Sequence, residues 1–352
     1  MASDAELFAH EVDGEGRLTR APLLDALRSG KFARDALCAH TQRPADAAAR
    51  AALRARLAGT LSPSEDRAVG ALLGMACGDA LGAPLEFLAA RAHGRPPSLD
   101  GMGLLLPGAS ARNAFRLQPG QWTDDTAMGL CLGDSLLACG GAVRPVDLML
   151  RFVAWWHAGY NNAFADDQQR RDRRDNAAAR AQTLASQQGP FLRRSSVGLG
   201  GTISASLSAF ERDGEPLTRS GDSRASGNGS IMRLAPVAAC FWRDERAAAA
   251  AARLQSRTTH GGDEAAECAA LLATVMARGI ACAGECTPRQ ILEALVADGF
   301  DTPCASVACL ARAQAEPGGN PDRDWRWQAR LPFAYLCGWS SYLTHPFLPA
   351  AP

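Results

Sequence analysis

The chain has 352 residues, 47% of them hydrophobic and 21% charged, enough for one large domain or two ordinary ones around a sizeable core. Lys plus Arg and Asp plus Glu both number 37, so no net field draws the protein toward nucleic acid or an acidic membrane, and a polyanionic ligand has to be held by local groups. No window approaches the ~20 uninterrupted apolar residues of a membrane span, and the acidic start MASDAELFAHEVDGEG lacks the order of a signal peptide.

Lys31 is the only lysine and alanine dominates every region, a bias of GC-rich coding, and a soluble bacterial cytoplasmic protein is expected. The 11 cysteines sit mostly in Ala/Leu-rich runs without the CxxC spacing of a zinc ribbon or thioredoxin site, so reduced core packing is their expected role. Cys282 and Cys286, four apart near a Gly-Glu turn, lack matching His or Cys partners for a ligand pair.

Residues 1–62 read as charged, Ala-rich helices broken at Arg-Ser-Gly and Arg-Pro, a small helical appendage of helix-turn-helix type at the surface. Within it, EVDGEGRLTRAPLL resembles a calcium loop with Glu11, Asp13 and Glu15 at the first, third and fifth ligand positions. Its twelfth position, where a bidentate Glu is needed, is Pro22, which argues against calcium.

From residue 63 to 352 the pattern is that of one all-α domain. Ala-Leu-rich runs with helical spacing recur at about 66–82, 124–139, 146–158, 246–256, 263–279 and 288–297, and β-branched runs of strand length are almost absent. The charge run QQRRDRRDNAAARAQ, 168–182, reads as a solvated face because acids alternate with its arginines.

Four stretches carry chemistry. In GALLGMACGDALGAPLEF, 70–87, Gly70, Gly74 and Gly78 share one helical face, where a neighbouring backbone is expected to approach closely, and Glu86 follows in the loop after Gly82 and Pro84. In QWTDDTAMGL, 121–130, Pro119 and Gly120 break the chain and Thr123 stands at the expected N-cap, putting Asp124 and Asp125 in a first helical turn. The helix dipole alone explains acids there, but two adjacent carboxylates and a hydroxyl exceed what a cap needs, and such hard oxygens suit Mg²⁺, Mn²⁺ or Ca²⁺.

In RASGNGSIMRLAPVA, 224–238, Gly227 and Gly229 flank Asn228 between Ser226 and Ser230. The loop is either a tight turn or a cradle of backbone N–H groups for a diphosphate. In SRTTHGGDEAAECAALLATV, 256–275, His260 stands in a loop before a helix opened by Asp263, as either a packed histidine or a ligand contact.

In order and spacing these four stretches resemble the ADP-ribosylglycohydrolase family over about residues 68–330. The resemblance implies a compact, orthogonal multi-helix fold and a centre of two magnesium ions that removes ADP-ribose from a modified protein side chain, often arginine. It places Thr123, Asp124 and Asp125 as the first metal cluster and Glu86 and Asp125 as the catalytic carboxylates. It also implies Ser226, Gly227, Asn228, Gly229 and Ser230 as the loop that holds ADP-ribose, with His260 in the same cleft. A metal-activated water would attack the anomeric carbon, with Glu86 positioning it or accepting its proton.

The sequence departs from the family in two places. The usual Gly-Gly-Asp-x-Asp-Thr segment is not found, so the domain reads as C-terminally shortened, with magnesium held singly or weakly. Asp322 and Asp324 read as a solvated loop, and Asp263 and Glu264 as capping acids. In FLRRSSVGLGGTISASL, 191–207, Ser196 and Leu199 stand about where many relatives have an aspartate and an asparagine. Beside the glycohydrolase stand two alternatives: an ADP-ribose-binding, immunity-type protein of weak or no turnover that uses residues 1–62 against a toxin partner, and a truncated product without function.

Overall fold

Ser62-Pro63-Ser64-Glu65 makes its own helix start. Ser62 Oγ accepts the Glu65 N–H at 3.4 Å while the Glu65 carboxylate accepts the Ser62 N–H at 2.8 Å, a reciprocal capping box with proline at the first helical position. The computed structural model describes residues 4–29, 47–59, 61–83, 117, 120–163, 196–219, 227–282, 286–318 and 325–326. Glu86, Ser226, Asp322 and Asp324 lie outside them.

The helices in chain order are α1 Asp4–Leu7, α2 Pro22–Arg28, α3 Ala47–Gly59, α4 Pro63–Gly82, α5 Asp124–Ala138, α6 Pro145–Ala158 and α7 Gly201–Asp213. They continue with α8 Ala235–Phe241, α9 Glu245–Arg257, α10 Asp263–Ala281, α11 Pro288–Asp298 and α12 Ala305–Ala311. Among the described residues the only sheet is one antiparallel pair, β1 Glu11–Val12 with β2 Leu18–Arg20, so the all-α expectation holds. No described helix is long and apolar enough to cross a membrane.

The long α10 packs on α4, α8, α9, α11 and α12, and the short α8 touches α4, α5, α9 and α10. Helix α6 is buried all round, from Val146 to Ala158, as a helix surrounded by others must be. Its polar residues are therefore paired: Arg151 donates to Asp147 at 2.8 Å and to Tyr160 Oη at 3.1 Å, and Tyr160 donates to Asp134 at 2.8 Å. His157 and Glu211 of α7 lie 2.7 Å apart.

Three expectations need correction. Residues 4–29 form a helix, a hairpin and a helix, and Phe8, Leu23, Leu24 and Leu27 join the main core cluster, so this part is no surface appendage. The hairpin closes because Asp13 Oδ1 accepts the N–H groups of Glu15 and Arg17, both at 2.9 Å, and Gly16 takes φ +80°. Secondly, a Cβ on Gly70, Gly74 or Gly78 would meet no described atom within 4 Å. The close approach is at Gly129 of α5, where a Cβ would lie 2.6 Å from Met75 Sδ and 3.7 Å from Arg233 Cα. Thirdly, Cys282 and Cys286 are joined as a disulfide where reduced packing was expected, their Cα atoms 6.4 Å apart and so within bridging reach.

Candidate active site

The entry of α5 is built from two parts of the chain. Thr123 occupies the N-cap position with extended backbone, φ −106° and ψ −150°, yet its side chain accepts no capping bond. The expected cap is replaced by Asp79 in the last turns of α4. Asp79 Oδ2 accepts the backbone N–H groups of Thr123 at 2.9 Å and Thr126 at 3.0 Å, and the two threonine hydroxyls donate to the same carboxylate at 2.7 Å. The N-terminal donors of α5 are thus satisfied by another helix. Asp79 has one local signal in the sequence, a lone carboxylate in the Ala-Gly-rich second half of α4.

Thr123 Oγ1 has one proton, and the bond to Asp79 takes it, so its remaining lone pairs are available on the other side. There Asp125 Oδ2 lies 3.4 Å away. Asp124 is buried and Asp125 half-buried. The Asp124 carboxylate lies against Gly198, where φ is +86° and a Cβ would collide with its oxygens. Glycine there serves both the left-handed backbone and the close approach.

These oxygens suit a hard cation: a hydroxyl with free lone pairs and a carboxylate oxygen 3.4 Å from it, close to the spacing of neighbouring ligands around Mg²⁺ or Ca²⁺ at about 2.0–2.6 Å. The described residues hold no cluster of three or more His, Cys, Asp and Glu side chains that could hold a metal ion.

Segment 196–203 joins the α5 entry to the glycine loop. Gly198 meets Asp124, and one turn on, Ile203 Cδ1 would lie 2.8 Å from a Cβ on Gly229. Asn228–Ser230 form a single 3₁₀ turn. Gln255 Nε2 donates to the Ser230 carbonyl and Ser256 Oγ to Ser230 Oγ, both at 2.8 Å, fastening the loop to the end of α9. Ser230 is fully buried, with its hydroxyl turned into this contact, while Gly227 and Asn228 are half-buried. Against the loop lies the edge of the His260 ring, whose Cε1 and Nε2 would be 2.9 and 3.2 Å from a Cβ on Gly229.

Arg233 ties the two halves together. It is fully buried, donates to Gln255 Oε1 at 2.7 Å, the Gln255 carbonyl at 3.0 Å and Thr259 Oγ1 at 2.8 Å, and lies over the Phe152 ring at 4.6 Å. Burial pushes its guanidinium down to about 9, against the pull of charges that include Asp124, so it stays a cation at neutral pH. Burial and then Arg233 push His260 down to about 3, leaving a neutral imidazole. Arg233 carries no local signal of this role in the sequence, because its partners Gln255 and Thr259 are 22 and 26 residues away. Asp263 and Glu264 open α10, where Asp263 pairs with Arg257 and Glu264 accepts from Ser306 at 2.6 Å.

An acidic helix entry, a glycine loop and a buried histidine are gathered here from four separate stretches, and the profile of the ADP-ribosylglycohydrolase family matches residues 60–350. The chain belongs to that family. It is 32% identical over 216 residues to the ADP-ribosylarginine hydrolase Tri1 of Pseudomonas putida, covering 61% of this chain and 47% of that protein. It is 40% identical over 105 residues to the Tri1 of Serratia proteamaculans (29% and 25% of the two chains). With the ADP-ribosyl-[dinitrogen reductase] glycohydrolase of Rhodospirillum rubrum it shares 44% over 94 residues (26% and 28%). The matched part thus spans less than half the length of each of these relatives.

Proposed function

We propose that the chain is a Mg²⁺-dependent hydrolase of the bacterial cytoplasm that releases ADP-ribose from modified protein side chains, with the arginine N-glycosidic linkage as its substrate class. The observation that carries this reading is the junction at segment 196–203, which meets Asp124 of the α5 entry at Gly198 and Gly229 of the glycine loop at Ile203. In this reading Thr123, Asp124 and Asp125 hold the metal, which supplies Lewis-acid polarisation and a water of lowered pKa. Gly227, Asn228 and Gly229 offer backbone N–H groups to the diphosphate, so charge is held without a lysine or arginine cluster. Asp125 is half-buried and is assigned a catalytic carboxylate role, and Glu86 the proton of the attacking water. Names of relatives support the substrate class, since two are ADP-ribosylarginine hydrolases.

The test is release of ADP-ribose from ADP-ribosylarginine, together with a calorimetric titration of Mg²⁺ and ADP-ribose, on the wild type and on Asp124→Ala and Asp125→Ala. Release only with Mg²⁺, and loss of the metal response in both variants, is the expected result. An unchanged metal response in the variants would remove the metal from these residues.

One observation favours a second reading, a binding protein of weak turnover. Ser196 stands two residues from Gly198 and hence close to Asp124 in the chain path, and a serine supplies no carboxylate there. ADP-ribose binding without release in excess Mg²⁺ is its signature. A toxin partner would in that case meet the outer face of the hairpin, where Glu11, Val12 and Arg20 are exposed.

A further inference from the structure

The bonds around Thr259 fix where the proton of His260 sits. An arginine can only donate, so Arg233 Nη2, at 2.8 Å, makes Thr259 Oγ1 an acceptor. The same oxygen lies 2.9 Å from His260 Nδ1. If Nδ1–H donated, Oγ1 would accept twice and its own proton would need a third partner. Among the described residues Thr259 Oγ1 has only these two partners. Thr259 therefore donates to Nδ1, and the ring, neutral because it is buried beside Arg233, carries its proton on Nε2. A flipped ring would set Cδ2 against the hydroxyl and forfeit the bond.

The Nε2 edge lies against the glycine loop: a Cβ on Gly229 would be 3.2 Å from Nε2, and one on Gly227 3.9 Å. We infer that Arg233 and Thr259 are positioning residues that hold His260 as its Nε2–H tautomer, making it a fixed neutral donor to an oxygen of the ligand in the glycine loop. His260 is on this assignment no general base and no metal ligand, since the nitrogen facing the cleft has no free lone pair. The rest of the relay supports that rigidity: Gln255 accepts from Arg233 Nε at 2.7 Å, and the His260 N–H donates to the Ser256 carbonyl at 2.8 Å.

The donor role rests on the reading of the cleft as an ADP-ribose site; the tautomer does not, and the two are measured separately. Long-range ¹H–¹⁵N correlation on the ligand-free full chain reads the tautomer, with the His260 signals identified among the six histidines by their disappearance in His260→Gln. The expected spectrum has a protonated Nε2 and a bare Nδ1, and a protonated Nδ1 overturns the inference without any variant of the relay. Thr259→Val should mix the tautomers and weaken ADP-ribose binding about tenfold, the loss of one oriented hydrogen bond, while Thr259→Ser keeps both as in the wild type. A Thr259→Val protein with the wild-type tautomer and affinity would also overturn it. If the wild type shows the Nε2–H tautomer but binds no ADP-ribose, the tautomer stands and the donor role falls with the proposed function.

Discussion

Helices α4 and α5 begin in opposite ways. Helix α4 caps itself with Ser62 and Glu65, residues three apart in the chain. Helix α5 has a threonine at the same position, but that threonine donates, and the cap comes from Asp79, 44 residues away. The self-capped start is a local device that fixes where a helix begins. The borrowed one does more. It turns the Thr123 hydroxyl proton toward Asp79, leaves its lone pairs toward Asp125, and makes the proposed metal site depend on the last turns of α4.

The sharpest way to break this contrast is to remove each cap. Asp79→Ala strips the carboxylate from two backbone N–H groups and two hydroxyls, and should cost about 2–4 kcal/mol in urea unfolding, several net hydrogen bonds to a charged acceptor. It should also abolish Mg²⁺ binding by calorimetry, because Thr123 Oγ1 is no longer oriented. Ser62→Ala should cost about 1 kcal/mol and leave Mg²⁺ binding intact. Equal costs, or metal binding retained in Asp79→Ala, would dissolve the distinction.

Gly198 tests the same entry from the other side. Alanine there must hold φ near +86° and meets the Asp124 carboxylate. A loss of about 1–3 kcal/mol is expected, with the release of ADP-ribose falling further than stability alone explains. Gly200→Ala is the control, since no described atom lies within 4 Å of a Cβ there, and it should be nearly neutral. Equal effects at the two glycines would show that backbone entropy, not Asp124, sets the requirement at 198.

Local signals were readable in the chain, and contacts between distant residues were not. The six helical runs match the observed helices to within three residues at every end, because apolar spacing, Pro63, Pro145 and Pro288 at helix starts, and Gly159 and Gly299 at helix ends act within a few residues. Asp124 and Asp125 could likewise be placed in a first turn from Pro119-Gly120 and the following spacing. Helix α7, with Ser and Thr along it and no Ala-Leu run, escaped notice. The spacing of the α4 glycines suggests a packing face, whereas Gly129, Gly198 and Gly229 are among those pressed on by neighbours; what presses is a side chain from elsewhere, Met75, Asp124 or His260, which no window contains. Asp79 and Arg233 escaped for the same reason, as each acts on residues more than twenty positions away.

The two sides of the cleft should also part in their response to pH. The α5 side is acidic, whereas on the other side His260 lies beside the buried Arg233 cation, which with burial itself keeps the imidazole neutral. The folded-state pKa of His260 is depressed to about 3 from the ordinary 6.5, so below pH 6.5 the unfolded chain binds a proton that the folded chain refuses. Its contribution is fully present above about pH 6.5 and is lost as pH falls toward 3. Between pH 7.5 and 5.5 this one group should cost about 1 kcal/mol. Carboxylates add their own acid sensitivity, so the measurement is a difference: urea midpoints across that range for the wild type and for His260→Gln. The variant, less stable overall where it loses the Thr259 bond, should show the flatter profile. Parallel profiles would mean that His260 titrates alike in both states, and the neutral imidazole beside Arg233 would lose its physical basis.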